Sequence, residues 1–206
     1  LHEPAAFYAS LLNAQPMGFW SPHSLVQDAK RHGVVVNSPD INASCAGATL
    51  ERNAQSAGGL ALRMGISSVR GMSDVVAQAI ADNRPYTSME DVVRKVPQMH
   101  VAQLEALATA GVFSESFGQQ RRDALWSAGA VIQSRPGTLD GVTTGVESPH
   151  LPGMQPMEEA IADLWATGVS TSGHPTEFLR IELERMGVAT AMQLPQRGAR
   201  GDEKVL

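Results

Sequence analysis

The sequence predicts a mainly α-helical protein with a few short strands, and three observations favour this fold class. Apolar residues recur at helical spacing along much of the chain, most clearly between residues 66 and 132. The connections between these runs are short, which favours compact antiparallel helix pairs. A composition that is 43% hydrophobic and 18% charged is typical of a globular protein with a hydrophobic core. We expect an α/β segment over residues 1–59, a helical module over 60–132, a linker over 133–156 and a helical segment over 157–206.

The first 59 residues predict two helices, one short strand and a loop. Residues 4–14 begin with a proline, which suits the first turn of a helix, and residues 21–32 begin with Ser21, a good N-cap residue. The three valines at 34–36 are a short strand candidate. The small, polar residues 43–59 predict a loop or a weak hairpin.

The middle of the chain predicts one strand followed by four helices. Residues 60–66 alternate enough for a short strand that leads into a helix. Ser73 is a natural N-cap, and Ser88 and Asp91 have the spacing of a capping box. The four predicted helices cover residues 73–83, 88–96, 100–111 and 119–132.

The last third of the chain begins with a change of composition. Residues 133–156 carry four glycines and four prolines, which predicts a linker or an extended strap on the surface. Two amphipathic helices are then expected over residues 157–168 and 176–187. On the first of them, Glu158 and Glu159 are expected to face solvent.

The charge and the cysteine content limit the classes of function. The net charge is −5, so the whole chain is not a basic nucleic-acid binder. Residues 62–122 hold seven Arg and Lys against six Asp and Glu, whereas residues 147–206 hold five against nine. Any contact with a polyanion is therefore expected in the middle of the chain. A single cysteine, Cys45, excludes an internal disulfide framework and fits a reducing cytoplasm. The sequence contains no apolar run of about 18 residues, so it predicts no membrane span.

The sequence predicts no catalytic residue and no metal site. Its six histidines lack metal-ligand spacing with Cys45 or with paired carboxylates. It contains no nucleophile elbow, no phosphate-binding Walker loop and no dinucleotide fingerprint. The three tryptophans are interpreted as core anchors rather than as base-stacking platforms: Trp20, Trp126 and Trp165.

The stretch Val69-Arg70-Gly71-Met72-Ser73 fits the turn of a helix-hairpin-helix element. Such a turn has the pattern hydrophobic-x-Gly-hydrophobic-Gly, because its backbone takes positive φ or passes close to a ligand. Amides at the start of the second helix then bind a phosphate without reading a base. Ser73 replaces the second glycine, which predicts a weaker phosphate contact at this hairpin unless the hydroxyl joins the contact.

A second hairpin candidate follows at Gly111-Val112-Phe113, with its second helix beginning near Gln119. Arg121 and Arg122 fall in the first turn of that helix, where cations oppose the helix dipole. A nearby phosphate would explain them, and so would simple solvent exposure. For both hairpins, the pattern fits a contact with a DNA backbone and also fits a turn that only packs two helices.

Several segments, in order along the chain, resemble the bacterial C-family DNA polymerases, the DnaE-type alpha subunits. The stretch "LLNAQPMGFWSPHSLVQDAKRHGV" is similar to the late fingers region of their error-prone, damage-inducible branch, the ImuC type. The stretch "LALRMGISSVRGMSDVVAQAI" resembles the first hairpin of that family. "LEALATAGVFSESFG" and "RRDALW" resemble the rest of its tandem helix-hairpin-helix module. "LWATGVSTSGHPTEFLR" resembles the segment that leads to an OB-fold domain.

The resemblance implies that the chain is a fragment of a DNA-directed DNA polymerase for translesion synthesis and damage-induced mutagenesis. The family's catalytic aspartates lie in the palm, which the resemblance places upstream of this segment, so the fragment is expected to be inactive. Mg²⁺ is implied for the parent polymerase, and no cofactor is implied for the fragment. The implied partners are duplex DNA, a catalytically inactive Y-family-like accessory protein and, through it, the sliding clamp.

In the family, the tandem hairpins hold the backbone of the duplex without sequence preference. The resemblance gives these candidate DNA-binding residues: Arg70, Gly71, Met72, Ser73, Gly111, Val112, Phe113, Arg121 and Arg122. The alternative is a protein-interaction module in which the hairpins only pack helices and residues 157–186 dock a partner.

Overall fold

The computed structural model describes residues 3–134, 136–137, 139, 145, 147–149 and 151–193. Most of the regular structure within these ranges is α-helical, together with one sheet of three short strands, which confirms the predicted fold class. The contacts divide the chain into two compact units, residues 1–172 and residues 173–206, and each unit is described by itself. The predicted boundaries at 59/60, 132/133 and 156/157 stay predictions.

The amino-terminal part of the first unit is a small α/β layer. The central strand pairs in parallel with the first strand and antiparallel with the second, and Leu62 lies opposite both Val36 and Leu50. The second strand lies inside the region predicted as a loop or weak hairpin. The elements are α1 (Pro4–Asn13), α2 (Pro22–Arg31), β1 (Val36–Asn37), β2 (Thr49–Arg52) and β3 (Leu60–Arg63).

Two polar contacts hold this layer together. The hydroxyl of the buried Tyr8 on α1 donates a 2.6 Å hydrogen bond to Oδ2 of Asp28 on α2. Burial and the nearby Asp28 carboxylate raise the pKa of Tyr8 to about 12, so its hydroxyl stays a donor at neutral pH. The buried Arg63 on β3 forms ion pairs with Glu51 at 2.7 Å and with Glu115 at 2.8 Å. Because Glu115 belongs to the helical module, Arg63 joins the sheet to that module.

The helical module follows β3 and agrees with the predicted succession of helices. A 3₁₀ turn at Ile66–Ser68 precedes the first of them. Its core consists mainly of aliphatic side chains, among them the fully buried Ile80, Leu104 and Leu107. The helices are α3 (Asp74–Asp82), α4 (Met89–Lys95), α5 (Val101–Thr109), the short α6 (Ser114–Phe117), which was not predicted, and α7 (Arg121–Val131).

One further helix, α8 (Pro156–Thr167), completes the first unit. It packs against α5, and its Ala166 is buried in the core of the helical module. Its amino terminus is closed by a hydrogen bond from the amide of Gln155 to the Glu158 carboxylate at 2.8 Å. This helix lies against both hairpins, which decides the properties of the candidate site.

Within its described residues, 173–193, the second unit contains two short helices, α9 (Pro175–Phe178) and α10 (Arg180–Arg185), and a 3₁₀ turn at Ala191–Gln193. The single helix predicted over residues 176–187 is therefore wrong, because Leu179 has φ −93° and ψ 0°, which interrupts the helical path. None of the helices among the described residues is long and apolar enough to cross a bilayer.

The prediction that the tryptophans anchor the core is wrong. Trp20, Trp126 and Trp165 are 63%, 57% and 48% exposed. Aliphatic side chains and alanines from closely packed helices fill the interior instead, which leaves no space for an indole. The three indoles are therefore available for contacts at the surface.

Candidate nucleic-acid interface

The turn of the first hairpin is Val69-Arg70-Gly71-Met72, between the 3₁₀ turn and α3. The amide of Met72 donates to the carbonyl of Val69 at 3.0 Å and closes the turn. Gly71 has φ +71°, and no atom lies within 4 Å of the place where a Cβ would stand. Glycine is therefore required here by the backbone conformation and not by crowding. The residue is exposed, and the space beside it is open.

Ser73 is the N-cap of α3. Its Oγ accepts a hydrogen bond from the amide of Val76 at 3.3 Å, so the hydroxyl that replaces the pattern's second glycine satisfies one helical amide. The next two residues, Asp74 and Val75, are exposed at the first turn of the helix. The Asp74 carboxylate there complements the helix dipole and repels an approaching phosphate.

Arg70 is attached to α8 through both its backbone and its side chain. Its amide donates a 2.7 Å hydrogen bond to the carbonyl of Ala166. Its guanidinium carbon lies 4.9 Å from the ring centroid of Trp165, a cation–π contact. Arg70 is exposed and forms no ion pair with any residue in the described part of the chain. Its guanidinium is thus held in place while its charge is not neutralised.

Gln103 on α5 connects the turn of the first hairpin to the beginning of the second. Its Oε1 accepts a 3.0 Å hydrogen bond from the amide of His100, which caps α5. Its Nε2 donates a 3.0 Å hydrogen bond to the carbonyl of Gly71. One side-chain amide therefore satisfies a helix terminus and also fixes the position of the glycine turn.

The second hairpin turns at Gly111, which has φ +75°. The Val112 and Phe113 side chains are buried, so they belong to the core and do not face a ligand. The carbonyl of Val112 accepts a 3.0 Å hydrogen bond from the amide of Ile41, which attaches this turn to the amino-terminal layer. Of the three predicted residues in the turn, only Gly111 retains partial exposure.

Arg121 lies across Gly111 and is engaged mainly by α8. Its guanidinium forms a 2.7 Å ion pair with Asp163 and donates to the carbonyls of Thr109 and Glu159, both at 3.2 Å. The two charged side chains are only 14% and 5% exposed. A Cβ on Gly111 would lie 2.7 Å from Nε of Arg121. The guanidinium therefore covers the glycine that the pattern predicts as a point of close approach.

Burial of the ion pair between Arg121 and Asp163 costs desolvation free energy. Burial raises the pKa of the Asp163 carboxyl above its ordinary value, and the neighbouring guanidinium only partly offsets this effect. Because neither charge has enough water to replace its partner, separating the two charges is expensive. The pair acts as a structural connection between α7 and α8.

Arg122 also contacts the α8 region. It forms a 2.9 Å ion pair with Glu158 and donates to the carbonyl of Pro152 at 2.9 Å. The sequence left phosphate or solvent as explanations for these two cations at a helix amino terminus. The structure provides acidic partners on α8 instead, and Glu158 is consequently not simply a solvent-facing residue.

A cavity of about 410 Å³ lies beside the second hairpin and is lined by Gly111, Arg63, Arg121, Glu115 and Glu159, among others. Both arginines in its wall are already paired with carboxylates. Across the described ranges, no three His, Cys, Asp or Glu side chains come close enough to hold a metal ion. The described residues therefore offer no acidic cluster for the Mg²⁺ implied for the parent polymerase.

Sequence reasoning missed the residues that distinguish the two hairpins: Trp165, Ala166, Asp163 and Gln103. They lie 32 to 96 residues from the turns that they contact, and contacts at such separation leave no local pattern in a single sequence. The one available signal was Asp163, a charge on the otherwise apolar face that α8 buries.

Sequence comparisons show which known proteins this chain resembles. The family model described as the helix-hairpin-helix motif matches residues 33–124, which include both turns. The chain is 50% identical over 198 residues to the error-prone DNA polymerase of Mycolicibacterium paratuberculosis, covering 94% of this chain and 18% of that protein. It is 50% identical over 198 residues to the protein of the same name from Mycobacterium tuberculosis H37Rv, with 94% and 17% covered. It is 40% identical over 193 residues to the error-prone DNA polymerase of Corynebacterium glutamicum, covering 94% of this chain and 17% of that protein.

The chain spans less than one fifth of the length of the curated relatives it matches. The identity of 40–50% nevertheless extends over 94% of the chain, so the similarity is not confined to the hairpin motif. The resemblance inferred from the sequence is confirmed: the chain is a homologue, over one segment, of the bacterial error-prone DNA polymerases, and it carries a helix-hairpin-helix motif.

Proposed function

We propose that the chain is a non-catalytic segment of a DNA-directed DNA polymerase that acts in translesion synthesis and damage-induced mutagenesis. We further propose that it holds the DNA backbone without sequence preference. The similarity to error-prone DNA polymerases and the helix-hairpin-helix match support the first part. The observation that carries the second part is Arg70, an exposed and unneutralised guanidinium next to an open glycine turn.

The first hairpin is the one that contacts DNA in this proposal. Arg70 supplies the charge, and the backbone amides of the exposed residues Asp74 and Val75, at the start of α3, supply donors for a phosphate oxygen. These groups do not distinguish bases, so binding is expected to be independent of sequence and sensitive to salt. Few cations are available, which predicts a modest affinity for the isolated chain.

The second hairpin has a structural function in this proposal. Its Arg121 and Arg122 are engaged by acidic residues of α8, and its Val112 and Phe113 are buried. A phosphate at Gly111 would have to displace a buried ion pair. Both hairpins fit the same sequence motif, but among their described residues the exposed, unpaired cation belongs to the first.

The remaining functions of the longer protein lie outside this chain in our proposal. Its Mg²⁺ and catalytic aspartates belong to other segments, so we expect no nucleotide incorporation by this chain on a primed template. Incorporation above that of a buffer control would contradict this part of the proposal.

Fluorescence anisotropy with a short labelled duplex, at low and raised salt, tests the DNA contact. Arg70→Ala is expected to weaken binding about tenfold and to reduce the slope of log affinity against log salt by about one. Arg52→Ala is the matched control. Arg52 is also exposed and forms no ion pair within the described ranges, but it lies on β2.

The control separates a local contact from an effect of net charge. Equal losses for Arg70→Ala and Arg52→Ala would mean that only the total charge matters, and the proposed contact would be wrong. No salt-sensitive binding by the wild-type chain at low salt would reject DNA binding for this chain altogether.

A second candidate function is the docking of a protein partner by residues 157–186. The exposed apolar side chains of the second unit favour it, since Ile181 is 68% and Met186 is 71% exposed. The implied partners are a Y-family-like accessory protein and, through it, the sliding clamp. Retained binding of a purified accessory protein by wild type, lost in Ile181→Asp, would support this function. Unchanged binding by Ile181→Asp would count against it.

A further inference from the structure

We infer that Trp165 is a positioning residue for DNA: its indole holds the Arg70 guanidinium in place beside the turn of the first hairpin. This inference rests on the proposed function, because it gives Trp165 a task only if Arg70 contacts a phosphate. It adds a third element, α8, to a site that the sequence motif confines to two helices and a turn.

Two consecutive residues of α8 hold Arg70. The carbonyl of Ala166 accepts the Arg70 amide at 2.7 Å, and the ring of Trp165 lies 4.9 Å from the guanidinium carbon. Ala166 is fully buried, so this end of α8 is firmly seated, whereas Trp165 is 48% exposed. The ring is therefore presented at the surface by a fixed backbone.

An aromatic ring holds a guanidinium without using its hydrogen-bond donors. The attraction acts between the cation and the ring face, so the N–H groups of the guanidinium are not consumed by a hydrogen-bond acceptor and can still bind a phosphate. A carboxylate partner has the opposite effect, because it occupies those donors. This difference separates Arg70 from Arg121 and Arg122, whose donors are already taken by Asp163 and Glu158.

The contact also lowers the entropic cost of binding. An arginine side chain on a surface samples many rotamers, and fixing it on a phosphate costs conformational entropy. The contact with Trp165 restricts those rotamers before DNA arrives, so less conformational entropy is lost on binding. We therefore expect Trp165 to affect affinity through Arg70 and not through a contact of its own.

A double-mutant cycle on the full 206-residue chain, with the labelled duplex as probe, tests this inference. Trp165→Ala is expected to weaken binding about two- to fivefold, while Trp165→Phe, which keeps an aromatic face, retains most of the affinity. In an Arg70→Ala background, Trp165→Ala is expected to have no further effect. The salt slope should fall for Arg70→Ala and stay unchanged for Trp165→Ala.

Trp126→Ala is the matched control, because Trp126 is also exposed, on α7, and makes no cation–π contact among the described residues. Its affinity should equal that of wild type. Equal losses from Trp165→Ala with and without Arg70, or no loss at all, would overturn the inference while leaving the DNA contact of Arg70 intact. Absence of binding by wild type would instead remove the proposed function, and this inference with it. Circular dichroism of each variant checks that it is folded.

Discussion

The two hairpins of this chain have the same backbone feature and opposite surroundings. Gly71 and Gly111 both have positive φ, at +71° and +75°. Nothing lies within 4 Å of a Cβ built on Gly71, whereas a Cβ on Gly111 would be 2.7 Å from the Arg121 side chain. The arginine of the first hairpin rests on an indole, and the arginine of the second is paired with a buried carboxylate.

This difference shows that a match to the sequence motif does not by itself make a turn accessible to a phosphate. A glycine turn between two helices satisfies the sequence pattern, but the charges that surround the turn decide whether a phosphate can approach it. Both sets of surroundings are provided by α8, a helix outside the motif. Variants that act on one hairpin at a time test this difference between the two turns.

The largest effect is expected from Asp163→Ala. The variant leaves the largely buried Arg121 without its partner, which should lower the free energy of unfolding by about 3–5 kcal/mol. Urea denaturation followed by circular dichroism measures this loss. Replacing both partners, with Asp163→Leu and Arg121→Met, should recover part of it, because no charge is then left buried. A loss below about 1 kcal/mol for Asp163→Ala would mean that the pair is dispensable.

The next largest effect on stability is expected from replacing the two turn glycines. Gly71→Ala should cost about 1 kcal/mol, the conformational cost of placing an L residue at positive φ. Gly111→Ala carries the same cost and also displaces Arg121 from Asp163, so we expect about 2–3 kcal/mol. Thermal and urea unfolding of the two variants, side by side, measure the difference. Equal losses would show that Arg121 does not constrain Gly111.

Much of the fold was predictable because it depends on local patterns. The apolar periodicity placed α3, α4, α5 and α7, and the Ser73 and Ser88 N-caps were readable from residue type and spacing. The interruption at Leu179 was not, because nothing in "TEFLRIELERMG" breaks helical periodicity.

The candidate site was less predictable than the fold. The sequence identified both glycine turns, but it could not pair Arg121 with Asp163, 42 residues away, or Arg70 with Trp165, 95 residues away. The tryptophans were misplaced for a related reason. Residue size favours burial on average, but the alanine-rich helices pack too closely to admit an indole.

A smaller effect tests the meaning of Ser73. If its hydroxyl matters as a helix cap, Ser73→Ala should lower stability by about 1 kcal/mol and Ser73→Gly by only a few tenths. Ser73→Gly also restores the pattern's second glycine. Stability and anisotropy measured together separate the two functions: an affinity increase in Ser73→Gly would indicate that the serine side chain obstructs the phosphate.

The smallest expected effect concerns Asp74, the exposed carboxylate in the first turn of α3. Asp74→Asn removes a negative charge near the amides proposed to face the phosphate, so affinity at low salt should rise about twofold. The gain should disappear at raised salt because the Coulomb repulsion is then screened. Asp123→Asn, in the first turn of the second hairpin's helix, should leave affinity unchanged.

Gln103 gives the pair of turns a fixed geometry. Its single amide binds the carbonyl of Gly71 and the amide of His100, so the first turn and the helix leading to the second cannot move independently. Under the proposed function, a duplex contacted at Arg70 would meet a glycine turn that is already held against α5, so little conformational freedom of the turn would be lost on binding.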